Sequence, residues 1–198
     1  MYRHFLKRVL DLLLSLAGLL LTGIPMLVIA GIIRHEDPGP ALFKQKRFGI
    51  HRSFFTLYKF RSMKVNNDAD KVQATKNDPR KYPFGNFMRR TNIDELPQFI
   101  NVLNGTMSIV GPRPHMVKHT EEYGALIDKY MVRHLAKPGI TGWAQVKGCR
   151  GETKELYQME ERIEKDIWYV ENWSFLLDLR IIFMTAFNMF FTKEENAY

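Results

Sequence analysis

Twenty-two consecutive residues without a charge, Leu12 to Ile33, constrain this chain more than any other feature. At about 1.5 Å per residue, a helix of that length matches the roughly 30 Å hydrocarbon thickness of a bilayer. A membrane-embedded N-terminal segment is therefore predicted. The run is longer than the roughly 7–15 apolar residues of a signal peptide, and no A-x-A-like site follows it, which argues against a cleaved leader. Basic residues stand on both sides, Arg3, Lys7 and Arg8 before the run and Arg34, Lys44, Lys46, Arg47 and Arg52 after it. The positive-inside tendency asks both flanks to stay cytoplasmic. Pro25 lies near the middle in Gly23-Ile24-Pro25, where it removes a helix hydrogen bond and predicts a bend. A segment that enters and returns through one leaflet satisfies both constraints. A tilted spanning helix with a proline kink is the alternative, and the residues alone leave the two open.

The net charge of +8 and a pI near 9.6 call for a polyanionic partner, whether nucleic acid, a phosphorylated substrate or anionic lipid. Cys149 is the lone cysteine. An internal disulfide and a cysteine-rich zinc site are thereby excluded. Six histidines show no metal-ligand spacing. His115 and His119 sit at i and i+4, but no third ligand accompanies them.

The most informative stretch runs from Arg89 to Pro114, R-R-T-N-I-D-E-L-P-Q-F-I-N-V-L-N-G-T-M-S-I-V-G-P-R-P. Leu96, Ile100 and Leu103 recur at helical spacing, and Asn104-Gly105 supplies a stop. Pro97 fits only a first turn, so Asp94 and Glu95 fall at the N-terminal edge of a short helix, with Thr91 as a candidate cap. Acids at a helix start are commonly structural, worth about 0.3–1 kcal/mol against the dipole. Here, however, Arg89, Arg90 and Arg113 bracket them, and Lys59 and Arg61 stand upstream in Y-K-F-R-S-M. Two acids do not need that many cations. An anionic substrate is the economical explanation, and phosphate is the anion that arginine reads best.

Elsewhere, Phe43/Gln45 and Phe55/Leu57 suggest two short strands joined around Gly49 to Arg52. A basic aromatic hairpin can stack on RNA bases. Beside a membrane segment, contact with anionic headgroups is the better reading, and nucleic acid is not expected as a partner. Val65 to Pro83 is polar and reads as a loop able to cover a site. His115 to Leu135 and Arg150 to Asn172 read as helices. Between them, Lys137 to Gly148 holds three glycines and reads as a closely packed loop letting backbone approach a ligand. Phe175 to Phe191 is apolar but carries Asp178 and Arg180, as expected of an interfacial helix.

These segments resemble those of the bacterial monotopic phosphoglycosyl transferases, the polyprenyl-phosphate sugar-1-phosphate transferases. The resemblance rests on the N-terminal membrane segment with Pro25, K-F-R-S-M at Lys59 to Met63, I-D-E-L-P-Q at Ile93 to Gln98, V-G-P-R-P at Val110 to Pro114 and K-P-G-I-T-G-W-A-Q-V at Lys137 to Val146. It covers essentially the whole chain. Two departures stand out. Thr106 occupies a position where relatives often carry an acid, and Ile24 precedes Pro25 where some have serine.

The resemblance implies an α+β, mostly helical fold. Residues 1–36 would form a re-entrant membrane helix, and residues 37–198 a small cytoplasmic-face catalytic domain with a short β-hairpin and interfacial amphipathic helices. It implies transfer of a sugar 1-phosphate from a UDP-sugar to undecaprenyl phosphate, with release of UMP and with Mg²⁺, at the cytoplasmic face of the bacterial inner membrane. Asp94 falls on the family's nucleophile and Glu95 on its partner, the pair that would also hold the metal. Lys59, Arg89 and Arg113 fall on its conserved cations and Pro25 on its membrane bend. Arg61, Gln145 and Arg150 are further substrate-binding candidates. The segments Arg150 to Thr153 and Asn172 to Leu179 resemble members that use UDP-glucose or UDP-galactose. No further N-terminal membrane bundle is expected, and membrane lipid and a homodimer are compatible partners. The rival reading is a noncatalytic scaffold binding anionic lipid, which leaves Asp94 and Glu95 among arginines without a purpose.

Overall fold

A computed structural model describes residues 2–66, 74–75, 78–151, 153 and 155–191. The apolar run lies inside one helix, α1 (Tyr2–Glu36), which continues through Pro25. Its two ends are packed on the same domain. Near the start, Lys7 Nζ donates to Val110 O at 2.9 Å and pairs with Asp178 at 2.6 Å. Arg8 donates to the carbonyls of Val102 and Leu103 at 2.6 and 2.7 Å. The buried Asp11 accepts from Ser108 Oγ and the Ile109 N–H at 2.9 and 2.8 Å. Near the end, Met26, Ile29, Ala30 and Ile33 join Phe60, Tyr82 and Met88 in a second apolar cluster. Between these contacts Leu16, Leu20, Leu21, Ile24 and Leu27 are exposed.

The domain is mostly helical with two small sheets. β1 (Leu42–Phe48) and β2 (Phe54–Phe60) form the expected antiparallel hairpin, Phe48 opposite Phe54 and Leu42 opposite Phe60. Its turn places His51 and Arg52 at φ 51° and 61°, within the left-handed region. Strand period carries Phe55 and Leu57 into the main core and puts Lys59 next on the same face. An ammonium thus takes a place that the strand pattern would otherwise give to an apolar side chain.

After α2 (Pro83–Arg90), a 3-10 turn at Ile93–Glu95 leads into α3 (Gln98–Leu103). Helical spacing was read correctly here, but the deepest face is a different one. Gln98, Asn101 and Val102 are buried, while Leu96, Ile100 and Leu103 are half-covered. The reason is a cross-link: Asn101 donates to Thr56 O at 2.7 Å and accepts from the Tyr58 N–H at 3.0 Å, pairing with β2 as a neighbouring strand would. Lys59 and the acids are thereby held in register. Asn101→Ala would leave both β2 groups without partners, so a loss of about 1–3 kcal/mol is expected in denaturant unfolding. Thr91 does not cap α3; its hydroxyl donates to Phe87 O and Met88 O at 2.9 and 3.2 Å, closing α2 instead.

β3 (Ser108–Val110) pairs in parallel with β4 (Gly139–Thr141). This corrects the reading of Lys137 to Gly148 as a ligand-cradling loop: Gly139 and Gly142 admit another stretch of backbone. Gly111 N–H donates to Thr141 O at 2.9 Å and Gly139 N–H to Pro112 O at 3.0 Å. A Cβ on Gly111, Gly139 or Gly142 would overlap main-chain atoms of the opposite segment. The G-P-R-P and P-G-I-T-G segments are thus zipped together, and α5 (Trp143–Val146) follows.

The segment His115 to Leu135 is broken rather than one helix. α4 (Val117–Leu126) ends before Lys129, which takes φ 58°, and a 3-10 turn covers Tyr130–Leu135. α6 (Leu156–Glu171) begins later than expected, at a capping box between Glu155 and Gln158. α7 (Phe175–Phe191) matches its expected span. Its Asp178 is fully buried rather than part of a polar stripe, accepting from Tyr169 and Trp173 at 2.7 and 3.0 Å as well as from Lys7. The outer side of α7 exposes Leu176, Phe183, Phe187 and Phe191. Residues 67–73 and 76–77 of the expected cover loop from Val65 to Pro83 lie outside the described residues.

Candidate active site

The hairpin, the turn before α3 and the zipped glycine segments wall one cavity of about 1060 Å³. Asp94, Glu95, Lys59, Arg89, Arg113, Arg61, Gln145 and Arg150, every substrate or catalytic candidate read from the sequence, line it. Pro25 lies apart, within α1.

Glu95 is the electrostatic hub. Its Oε1 accepts from Lys59 Nζ at 2.6 Å and from Arg113 Nη2 at 2.5 Å, and its Oε2 from Arg113 Nη1 at 3.2 Å. Burial alone would raise the Glu95 pKa, but Arg113 and Lys59 outweigh it and hold the carboxyl well below its ordinary range. The attraction is reciprocal, since Glu95 raises the Arg113 pKa. For Lys59 burial wins: it lowers the ammonium's pKa, against the opposing pull of Glu95 and Asp94.

Asp94 is the contrasting member. Its side chain is buried yet makes no hydrogen bond among the described residues, and its nearest cation, Lys59 Nζ, is 4.0 Å away. Burial raises its pKa above 3.8, opposed by Lys59, with Glu95 adding to the rise and Arg89 and Arg113 opposing. One carboxylate is therefore fixed as an ionised orienter, and its neighbour is left unencumbered toward the cavity. That division suits an anion that must attack. If Asp94 attacks as the carboxylate, kcat/KM should rise with pH and level off only above the ordinary carboxylate range. Removing the opposing cation by Lys59→Met should move that limb to still higher pH. A limb at or below pH 3.8 in the native enzyme would rule this assignment out.

The remaining cations divide by role. The guanidinium of Arg89, at the end of α2, makes no hydrogen bond or ion pair among the described residues and borders the cavity. Arg61 also borders it, but its guanidinium is engaged by the Asp37 side chain and carbonyl and by Pro40 O at 2.7 Å, tying the end of α1 to β2. Gln145 Nε2 donates to Ile140 O at 3.1 Å. Sequence reasoning missed Arg47, His115 and Arg162, which share the wall. Arg47 was legible, since it lies on the inward row of β1 with Phe43 and Gln45, opposite Phe55.

No group of three His, Cys, Asp or Glu side chains that could hold a metal occurs among the described residues. Two adjacent carboxylates still fit Mg²⁺, which commonly takes one or two protein carboxylates and completes its shell with water and substrate phosphate.

The chain is similar to several known proteins. A UDP-glucose:undecaprenyl-phosphate glucose-1-phosphate transferase of Escherichia coli K12 is 52% identical over 191 residues, 96% of this chain and 41% of that protein. A protein of the same name from Caulobacter vibrioides is 44% identical over 196 residues, covering 97% and 72%. The exopolysaccharide production protein PSS of Rhizobium leguminosarum bv. phaseoli is 44% identical over 186 residues, covering 91% and 93%. The chain thus spans about two fifths of the length of the Escherichia coli relative. With the bacterial sugar transferase profile matching residues 2–192, the chain belongs to the bacterial sugar transferase family.

Proposed function

We propose that this chain transfers a sugar 1-phosphate from a UDP-sugar, glucose or galactose, to undecaprenyl phosphate through a covalent intermediate on Asp94. The observation that carries the reading is an Asp94 carboxylate free of hydrogen bonds among the described residues, with Lys59 no closer than 4.0 Å, beside a Glu95 held tightly by Lys59 and Arg113. An oxygen of Asp94 attacks the phosphorus that bears the sugar, and the bond to the UMP oxygen breaks with its electron pair leaving on UMP. The lipid phosphate oxygen then attacks the same phosphorus. The acyl phosphate bond breaks, Asp94 is regenerated and a polyprenyl diphosphate sugar departs. Arg113 and Arg89 draw the anionic substrate against a carboxylate that would otherwise repel it. A Mg²⁺ held by Asp94 and Glu95 would supply charge neutralisation on the diphosphate. The test is UMP release by the purified chain in lipid nanodiscs, with a panel of UDP-sugars and undecaprenyl phosphate. Sustained UMP release, beyond the single UMP per enzyme that forms the covalent intermediate, is expected only when UDP-glucose or UDP-galactose meets the lipid acceptor; none with any sugar would leave the lipid-binding scaffold as the better account.

The chain is membrane-associated, and we read α1 as re-entrant, with the catalytic domain on the cytoplasmic face of the inner membrane. Lys7 and Ile33, both packed on the domain, are about 39 Å apart along a helix axis, more than the hydrocarbon thickness. A perpendicular span would put the surfaces that touch these two residues on opposite faces of the bilayer. The outward side chains of α1 and of α7 then face lipid together. In a Cys149→Ser background, a cysteine at Tyr2 should resist an impermeant maleimide in intact cells. Labelling from outside would contradict the re-entrant reading.

A further inference from the structure

One buried cation on the cavity wall remains unaccounted for. Arg162, on α6, is only 8% exposed and lines the cavity that holds Asp94. Its Nη2 donates to Gly151 O at 3.0 Å, while its Nε is buried without a partner. The carboxylate one turn along α6, Asp166, makes no direct contact with it, being bonded to Arg133 at 2.7 and 3.1 Å. Among the described residues Arg162 makes no ion pair. Two more side chains on the same wall, both buried, each carry an orphan polar atom: His115 Nε2 and Gln145 Oε1.

A buried, unpaired guanidinium is costly, and neutral hydroxyls of a sugar would not offset it. A phosphate would. The charges at the reacting centre lead to the same place, since Lys59, Arg89 and Arg113 exceed Asp94 and Glu95 by a single positive charge, whereas a diphosphate brings two phosphates. Arg113 and Arg162 feel each other's charge, so the two cations are neighbours in one field.

We infer that Arg162 forms the subsite for the nucleoside-side phosphate, holding the UMP that leaves, with His115 Nε2 and Gln145 Oε1 available to the nucleoside beyond it. The inference rests on the transferase reading above and assigns one phosphate of its donor. Burial, then the Arg113 charge, lower the Arg162 pKa against the weaker opposing pull of Asp166.

The test is Arg162→Met, which keeps the side chain's bulk and removes its charge, with Arg162→Lys as a companion that retains charge. Because Arg162 makes no ion pair among the described residues and loses a single hydrogen bond, to Gly151 O, while its buried charge is removed, the Met variant should melt within about 2 °C of the native temperature or above it. Its KM for UDP-glucose and its inhibition constant for UMP should rise about 10- to 100-fold, as for a lost charged hydrogen bond. The KM for polyprenyl phosphate should stay within about twofold, and the thermal shift that UMP gives the native chain should disappear. Arg162→Lys should recover part of the UMP affinity. A rise confined to the polyprenyl phosphate KM would assign the subsite to the lipid phosphate and overturn the nucleotide assignment. A lower melting temperature with unchanged kinetic constants would make Arg162 a structural residue. Native turnover with an unaltered Met variant would refute this inference alone; absence of native turnover would refute the transferase reading.

Discussion

Asp94→Asn is expected to reduce UMP release by roughly 10³-fold or more, because a side chain that acts as nucleophile has no substitute in its site. The replacement keeps size and shape. Asp94 makes no hydrogen bond among the described residues and is buried, so an amide there leaves no partner stranded and the fold should persist. Neutralising one of two adjacent carboxylates also relieves their repulsion, and UDP-sugar should bind at least as well as before. Retained affinity with lost turnover is the combination expected of a chemical role. If Asp94 only filled a charge pattern, affinity and turnover would fall together.

Arg113→Lys is expected to lower kcat/KM by about 10²-fold, the usual consequence of losing one preorganised charged donor at a reacting phosphate. The guanidinium contacts both oxygens of Glu95, at 2.5 and 3.2 Å, and so is presented flat along the carboxylate edge. An ammonium satisfies one oxygen at a time and cannot hold the fork that serves a carboxylate and a phosphate together. Its charge is conserved, so melting temperature should change little. Near-native turnover of Arg113→Lys would remove Arg113 from the reacting centre.

The sequence revealed the site more completely than the packing that builds it. Adjacent acids among surplus arginines marked Asp94, Glu95, Arg89 and Arg113 as one constellation, because charge imbalance is visible without knowing the fold. The hairpin and the span of α7 were also legible, from strand alternation and from an uninterrupted apolar run. What hid was long-range pairing. Asn101 looked like a polar helix residue, yet it is buried because its amide completes the hydrogen bonding of β2, 43 residues away. Gly139 and Gly142 fall in the stretch read as letting backbone approach a ligand, although the close approach they permit is to the backbone of Gly111. Asp178 seemed to mark a polar stripe, but Lys7, 171 residues away, draws it inward. Arg162 lies in a helix rich in acids, and only the fold shows the one a turn away, Asp166, committed to Arg133. Each miss is set by a contact far along the chain or across the fold, where local periodicity carries no signal.

The central claim is a phosphosugar held covalently by Asp94, and isotope exchange reads it most directly. Labelled UMP is incubated with UDP-glucose and the full-length chain, with no polyprenyl phosphate present. A covalent intermediate lets labelled UMP attack the aspartyl phosphate and return as UDP-glucose, so label should enter the nucleotide sugar in the native enzyme and not in Asp94→Asn. If the native enzyme turns over fully with acceptor but exchanges no label without it, transfer is direct and the account of Asp94 is wrong.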